Sequence, residues 1–349
     1  MNLNIKKNNL YLLYILGIII LASLVFIVGF EDVLKIVTKI SPFHLFILFL
    51  VQILTIFLTG YIWYFLIKKS TAEKEISLSS VIGVHLAGNF VESVTPSVKL
   101  GGETAKVFLM RQKTSLSYQE LTAITVVSKY FSLIPFLLIS LFVVLYTFFT
   151  WDMPEIVYLS FLGLVFLLVL FILFFKLGTM KNISTSNLWN QSKTINPDQK
   201  SFKEKLLLKG HKIINFVKEA SNISRELTKV TDRWQLIFIA SIVWILYPVK
   251  VYFVSNALGF NNSFILIALA TFTAYLVNML PLLPGGLGSF EGSMALVFTS
   301  AGLTSAEGLS IALVTRLVTF WLPLLLSAGA ASVLVYNKKN EVLKEKTKV

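Results

Sequence analysis

The chain is expected to be an all-α polytopic membrane protein, with about six full transmembrane helices plus two re-entrant (broken) helical hairpins in an inverted repeat. Three observations lead there. The first is composition: of 349 residues, 56% are hydrophobic and 14% charged, whereas an ordinary globular domain is about a quarter charged. The second is run length, since several apolar stretches reach the roughly 20 residues needed to cross a bilayer. The third is a pair of interrupted stretches. The clearer one runs Leu280-Pro281-Leu282-Leu283-Pro284-Gly285-Gly286-Leu287-Gly288-Ser289-Phe290-Glu291-Gly292, with two prolines and four glycines inside apolar sequence. At membrane depth, backbone that leaves the helix exposes N–H and C=O groups, tolerable only when buried in protein or lining a wet cavity. Such breaks mark transporter binding sites.

Residues 10–30 form the first apolar run, preceded by Lys6 and Lys7. The run is longer than a signal-peptide core and lacks an A-x-A site, so it is expected to be a retained span. A short polar link with Glu31, Asp32, Lys35 and Lys39 leads to a second span at 43–67. The weaker run 76–94 carries Gly83, His85, Gly88, Asn89 and Glu92, and breaks at Thr95-Pro96-Ser97-Val98-Lys99-Leu100-Gly101-Gly102 before a helix-like piece, 103–112. Spans follow at 121–149, with Pro135 inside, and at 156–175. Residues 176–233 are polar and basic. Another span occupies 234–258, the second broken region 264–301, and a final span lies within 309–335, ahead of a lysine-rich tail from 337.

Lys/Arg bias sets orientation. Segment 176–233 has 12 basic and 5 acidic residues and the tail five lysines, whereas the links 152–155 and 259–263 have neither Lys nor Arg. Placing the basic segments and both termini in the cytoplasm requires an even number of crossings. Six full spans and two hairpins entering from opposite faces satisfy this. The order span, hairpin, span then recurs inverted, and Asn89…Pro96…Gly101-Gly102-Glu103 loosely matches Asn278…Pro284-Gly285-Gly286…Glu291. The expected divisions are an N-terminal transmembrane helix (1–42), repeat A (43–149, hairpin 76–112), a linking transmembrane helix (150–177) and a basic cytoplasmic segment (178–233). Repeat B (234–336, hairpin 264–301) and the basic tail (337–349) complete the chain. Within 178–233, Leu206, Leu207, Ile213, Ile214, Val217 and Leu227 recur near helical spacing among lysines. That pattern suits a basic amphipathic helix on an anionic leaflet, or one packed on the bundle's cytoplasmic end.

The net charge of +13 does not imply nucleic acid, because the basic residues sit in loops between apolar spans. Enzyme chemistry is not expected. Cysteine is absent, and His44, His85 and His211 lie in separate segments without metal-ligand spacing. Gly286-Leu287-Gly288 does not complete a dinucleotide fingerprint, and no P-loop is present. No cofactor is expected. The breaks offer anion chemistry instead: glycines permit close backbone approach, and helix N-termini present free N–H groups to phosphate. Candidate substrate-binding residues are Asn89, Pro96, Lys99, Gly101, Gly102, Glu103 and Lys106 in the first hairpin. Asn278, Pro284, Gly285, Gly286, Gly288 and Glu291 are their counterparts in the second. Arg316 joins them, with no other charge nearby in its apolar run, where an unpaired central arginine costs at least about 2.5–3.5 kcal/mol. Its expected partner is Glu291, a lipid phosphate, or both. Glu103 and Glu291 would stabilise helix dipoles or meet a cationic headgroup group or a coupling proton. Lys129 is expected at the cytoplasmic rim.

Pro281-Leu282-Leu283-Pro284-Gly285-Gly286-Leu287-Gly288…Glu291, then Gly302, Arg316, Trp321, Pro323 and Gly329, resembles the second half of the flippase-like family that includes the transmembrane region of lysylphosphatidylglycerol synthases. Asn89…Pro96-Ser97…Gly101-Gly102-Glu103…Lys106 resembles its first-half motif, with Lys106 where arginine is expected. The resemblance implies a cell-membrane protein that moves a phospholipid or lipid-linked substrate between leaflets. The family's aminoacyl-transferase domain is not expected after the last span, so neither is lysyl-phosphatidylglycerol synthesis. The alternatives are a membrane subunit partnering a separate transferase, and an ion-coupled carrier of a small anion.

Overall fold

The computed structural model describes residues 30–70, 76–94, 100–151, 159, 162–167, 169–170, 230–279 and 284–346. Among these residues every regular element is helical. In order they are α1 (Phe30–Val37), α2 (Pro42–Ser70), α3 (Leu78–Val94), α4 (Leu100–Arg111) and α5 (Tyr118–Thr150). After a helical stretch at 162–167 come α6 (Val230–Ala257), α7 (Phe264–Met279), a 3-10 turn (Pro284–Gly286) and α8 (Ser289–Ser300). Then follow α9 (Ser305–Arg316), a π turn (Leu317–Trp321) and α10 (Leu322–Lys346).

Among the described residues four segments are long and apolar enough to cross a membrane: Pro42–Ser70, Tyr118–Thr150, Thr231–Ala257 and Ser305–Leu334. The expected span 10–30 (apart from Phe30), most of the span 156–175, and the basic segment up to 229 lie outside the described residues. Two boundaries differ from expectation. The polar link after residue 30 contains α1, which packs on α9. The tail does not separate at 337 but continues α10 to Lys346, as its Lys, Glu and Leu content favours.

The helices carry apolar side chains on their exposed faces as well as their buried ones. Along α2, Leu48, Gln52, Thr55, Ile62 and Leu66 recur at helical spacing and are buried, while Phe46, Leu50, Ile53 and Phe57 are exposed. On α5 and α10, Phe142 and Leu325 are 62% and 70% exposed. An apolar exterior suits a lipid surround, and polar side chains such as Gln52, Thr55 and Lys250 are set within the apolar core. Two capping boxes start the long helices that end each half. Ser117 Oγ accepts from Glu120 N–H at 3.2 Å while Glu120 accepts from Ser117 N–H at 2.7 Å. Thr304 and Glu307 repeat the arrangement at 3.3 and 2.8 Å.

α3 packs on α4, and α7 on α8. The first helix of each pair also reaches the other half: α3 packs against α10, and α7 against α5, while α2 and α6 pack together. The α3–α4 contact depends on glycine. A Cβ on Gly88 would stand 2.9 Å from the Gly102 carbonyl oxygen, and one on Gly102 would stand 2.7 Å from the Gly88 oxygen and 2.5 Å from Glu92 Cβ. Small residues let the two backbones touch. The π turn precedes Pro323, which has no N–H for the Thr319 carbonyl; the Leu322 N–H instead reaches Leu317 O, five residues back.

Because Gly102 lies directly against α3 at Gly88 and Glu92, Gly102→Val should destabilise the protein by about 1–3 kcal/mol through overpacking. A lowered Tm of the detergent-solubilised variant is the measurement, and an unchanged Tm would contradict the contact.

Candidate functional site

The second break is held by one ion pair. Gly285, Gly286 and Gly288 adopt φ of 61°, 65° and 80°, which side-chain-bearing residues rarely adopt. Contacts impose the same restriction: a Cβ on Gly285 would lie 2.6 Å from the Phe320 ring, and one on Gly286 would collide with the Asn278 side chain. The freed backbone groups find charged partners. Glu291, fully buried, accepts from Gly288 N–H at 2.8 Å, and Arg316 donates through its guanidinium to the Gly285 carbonyl. The two close on each other, Arg316 Nε to Glu291 Oε1 at 3.0 Å. Phe290 and Phe320 flank the guanidinium at 4.8 and 4.4 Å to their ring centres. An arginine inside apolar sequence is thereby paired, hydrogen-bonded and stacked.

The first hairpin supplies a second charged cluster. Glu103, in the first turn of α4, lies 3.2 Å from Lys106 Nζ and 2.6 Å from Lys129 Nζ of α5. One carboxylate thus faces two ammonium groups. Lys106 is buried, its stem running over Gly88.

Both clusters open on one cavity of about 340 Å³. Asn89, Glu92, Glu103, Lys106 and Lys129 line it from one half, and Asn278, Gly285, Gly286, Arg316 and Phe320 from the other. Trp63, Trp244, Tyr247 and Tyr275 add aromatic wall. The buried Trp63 indole N–H and His85 Nδ1 have no hydrogen-bond partner, and both residues line this space.

The expected residues therefore separate by position. Asn89, Glu103, Lys106, Asn278, Gly285, Gly286 and Arg316 share the cavity. Glu291 and Gly288 are absent from its lining and act by shaping the break. Gly101 and Gly102 sit within α4, which begins at Leu100, and Gly102 serves the packing of α3 rather than the cavity. Pro96 and Lys99 lie outside the described residues. Pro284 opens the 3-10 turn. Lys129, expected at the rim, lies on the cavity wall beside Glu103. Glu92, Gln52 and the aromatic wall were not anticipated as site residues; glutamate in a glycine-marked run was the available signal for the first.

Among the described residues, all-helical packing and four segments of membrane length define a multi-pass membrane protein, here with a polar internal cavity. The family model described as "Lysylphosphatidylglycerol synthase TM region" matches residues 14–327, and the chain belongs to that family. It is similar to a UPF0104 membrane protein of Pyrococcus horikoshii, 24% identical over 90% of this chain and 94% of that protein. A UPF0104 membrane protein of Methanocaldococcus jannaschii is 23% identical over 99% of this chain and 100% of its own. One from Methanothermobacter thermautotrophicus is 21% identical over 89% and 91%. No solved structure gives a significant match.

Removing one member of a buried pair strands the other, at about 3–5 kcal/mol. Arg316→Met and Glu291→Met should each lower stability by that order, and the double variant by clearly less than their sum. Thermal unfolding of the four proteins in detergent checks this; strictly additive losses would show that the pair is not coupled.

Proposed function

We propose that this chain moves a phosphate-bearing lipid between membrane leaflets, its headgroup passing through the cavity while the acyl chains stay in the bilayer. The observation that carries the proposal is the shared cavity itself: both interrupted hairpins contribute to one space, with Lys106, Lys129 and Arg316 on its walls. The proposal takes the hairpins as re-entrant from opposite faces, related as an inverted repeat, with both termini cytoplasmic and the cell membrane as location. The exchange of partners between halves, α3 on α10 and α7 on α5, supports that symmetry.

Recognition follows from the charges. Glu103 holds Lys106 and Lys129 together before any ligand arrives, so their side chains are already ordered. An arriving phosphate competes with that carboxylate for two ammonium groups, and charge-assisted hydrogen bonds contribute about 1.5–3 kcal/mol each. The unpartnered Trp63 N–H is a donor for a headgroup oxygen. Arg316 is tied to Glu291 and the Gly285 carbonyl, so its guanidinium is held in place on the cavity wall with its charge already balanced. Nothing in this scheme requires bond chemistry, and the chain is proposed to act without a cofactor and not as an enzyme.

The family's name supports a second reading, in which the chain is the membrane partner of a separate lipid-modifying transferase. That reading expects a soluble enzyme to co-purify and the pure chain to move no lipid.

The test uses proteoliposomes carrying a fluorescent phosphatidylglycerol, with leaflet distribution read by a membrane-impermeant quencher. Lys106→Ala/Lys129→Ala should slow redistribution at least about tenfold, the loss of one charge-assisted contact. Equal rates for wild type, this variant and Arg316→Ala/Glu291→Ala would remove the site assignment.

A further inference from the structure

Lys250 is a buried cation that the transport scheme does not use. It lies two turns before the end of α6 and is 1% exposed. Its Nζ donates to Gln52 Oε1 at 2.5 Å and Thr55 Oγ1 at 3.3 Å, both on α2, and stands 4.2 Å from the centre of the Tyr247 ring. Those partners are all neutral. This sets it apart from the cations of the cavity, where Lys106 and Lys129 share Glu103 and Arg316 holds Glu291.

The local hydrogen bonding accepts either form of the amine. Thr55 gives its own hydroxyl proton to Val51 O at 2.8 Å, so its oxygen is left to accept. Gln52 Oε1 likewise only accepts. An NH₂ and an NH₃⁺ group can both donate to this pair, so gaining a proton changes the charge without breaking a contact. An arginine would stay charged; a lysine need not. Access is short as well: Gln52, Thr55 and Tyr247 line the cavity, placing Lys250 one side chain behind its wall.

The surrounding groups leave this titration to Lys250. Gln52 and Thr55 of α2 carry no charge, and Tyr275 of α7 meets it only through the Tyr247 ring, at 4.6 Å between centres. Lys129 of α5 and Arg316 of α9 are both paired with carboxylates. His85 of α3 reaches Thr59, one helical turn along α2 from Thr55, at 3.4 Å.

We propose that Lys250 is a proton-binding site that couples headgroup passage to a transmembrane proton gradient. The site spans the contact between α2 and α6, which are the opening helices of the two halves. Protonation places an uncompensated charge in that contact and favours a wetter, more open arrangement; release of the proton to the other side favours closure. The coupling rests on the transport reading above, whereas the proton site does not.

Two measurements test it. In proteoliposomes of phosphatidylcholine with fluorescent phosphatidylglycerol, an imposed pH gradient should accelerate wild-type redistribution, and Lys250→Met and Lys250→Arg should lose that acceleration. Acceleration that persists in either variant, or a wild type indifferent to the gradient, overturns the coupling. The second measurement needs no transport. Trp244 lies beside Tyr247, 5.3 Å between ring centres, so tryptophan fluorescence in nanodiscs, titrated from about pH 5 to about pH 11 across the ordinary His and Lys values, should show a step. The step should survive His85→Asn and vanish in Lys250→Met. If that variant does not fold, Gln52→Leu should shift the step's midpoint instead. A flat wild-type titration removes the proton site. A wild type that moves no probe under any gradient sinks the transport reading, and the fluorescence step then decides the proton site alone.

Discussion

The Arg316–Glu291 pair is what makes a helix break affordable inside this bundle. Between α7 and α8 the chain passes through left-handed glycines, and backbone groups there have no helical partner. The guanidinium takes the carbonyl of Gly285, the carboxylate takes the amide of Gly288, and the two charges neutralise each other at 3.0 Å. In a medium without water, unsatisfied peptide groups and unpaired charges are each costly. Here each answers the other. The break, the cavity it opens and the placement of Asn278 and Phe320 against the glycines all follow from that closure.

The two halves solve related problems differently. In the second, glycine is needed for torsion, and charge repairs the backbone. In the first, α4 is already helical at its glycine pair, and Gly102 is needed for proximity to Gly88 and Glu92. Charge is then free to face the cavity, where Glu103 gathers Lys106 and Lys129. One wall is thus built around a neutralised pair and the other around a carboxylate shared between two lysines, which gives the chamber a polarity from one half to the other.

Much of this was legible in the residues. Apolar runs of membrane length predict the four described spans, and charge or glycine in such surroundings has few explanations, so Gly285, Gly286, Glu291 and Arg316 stood out. Lys250 meets the same criterion as Arg316, an isolated charge in an apolar run, but no residue of the glycine-marked motifs pairs with it. The equivalence drawn between Gly101-Gly102 and Gly285-Gly286 was only half right in physical terms, because composition does not distinguish a glycine chosen for its torsion from one chosen for its size. The aromatic wall could not be read at all: Trp, Tyr and Phe are common along apolar spans, and which of them face inward depends on packing between elements distant in sequence. The capping boxes Ser117-x-x-Glu120 and Thr304-x-x-Glu307 carry a sequence pattern as well, yet the expected spans begin only after them, at 121 and within 309–335.

The wide turn at Leu317–Trp321 has a consequence beyond accommodating Pro323. A regular helix rotates about 100° per residue, so a turn holding one surplus residue fixes the azimuth of everything on one side relative to the other. Arg316 stands immediately before it, and Phe320 and Pro323 face the chamber from within and beyond it. The segment therefore works as a phase-setter: losing a single residue there would swing the guanidinium out of line with Phe320 by roughly a quarter of a circle, though every side chain involved were still present. Sequence length at this point is as tightly constrained as sequence identity.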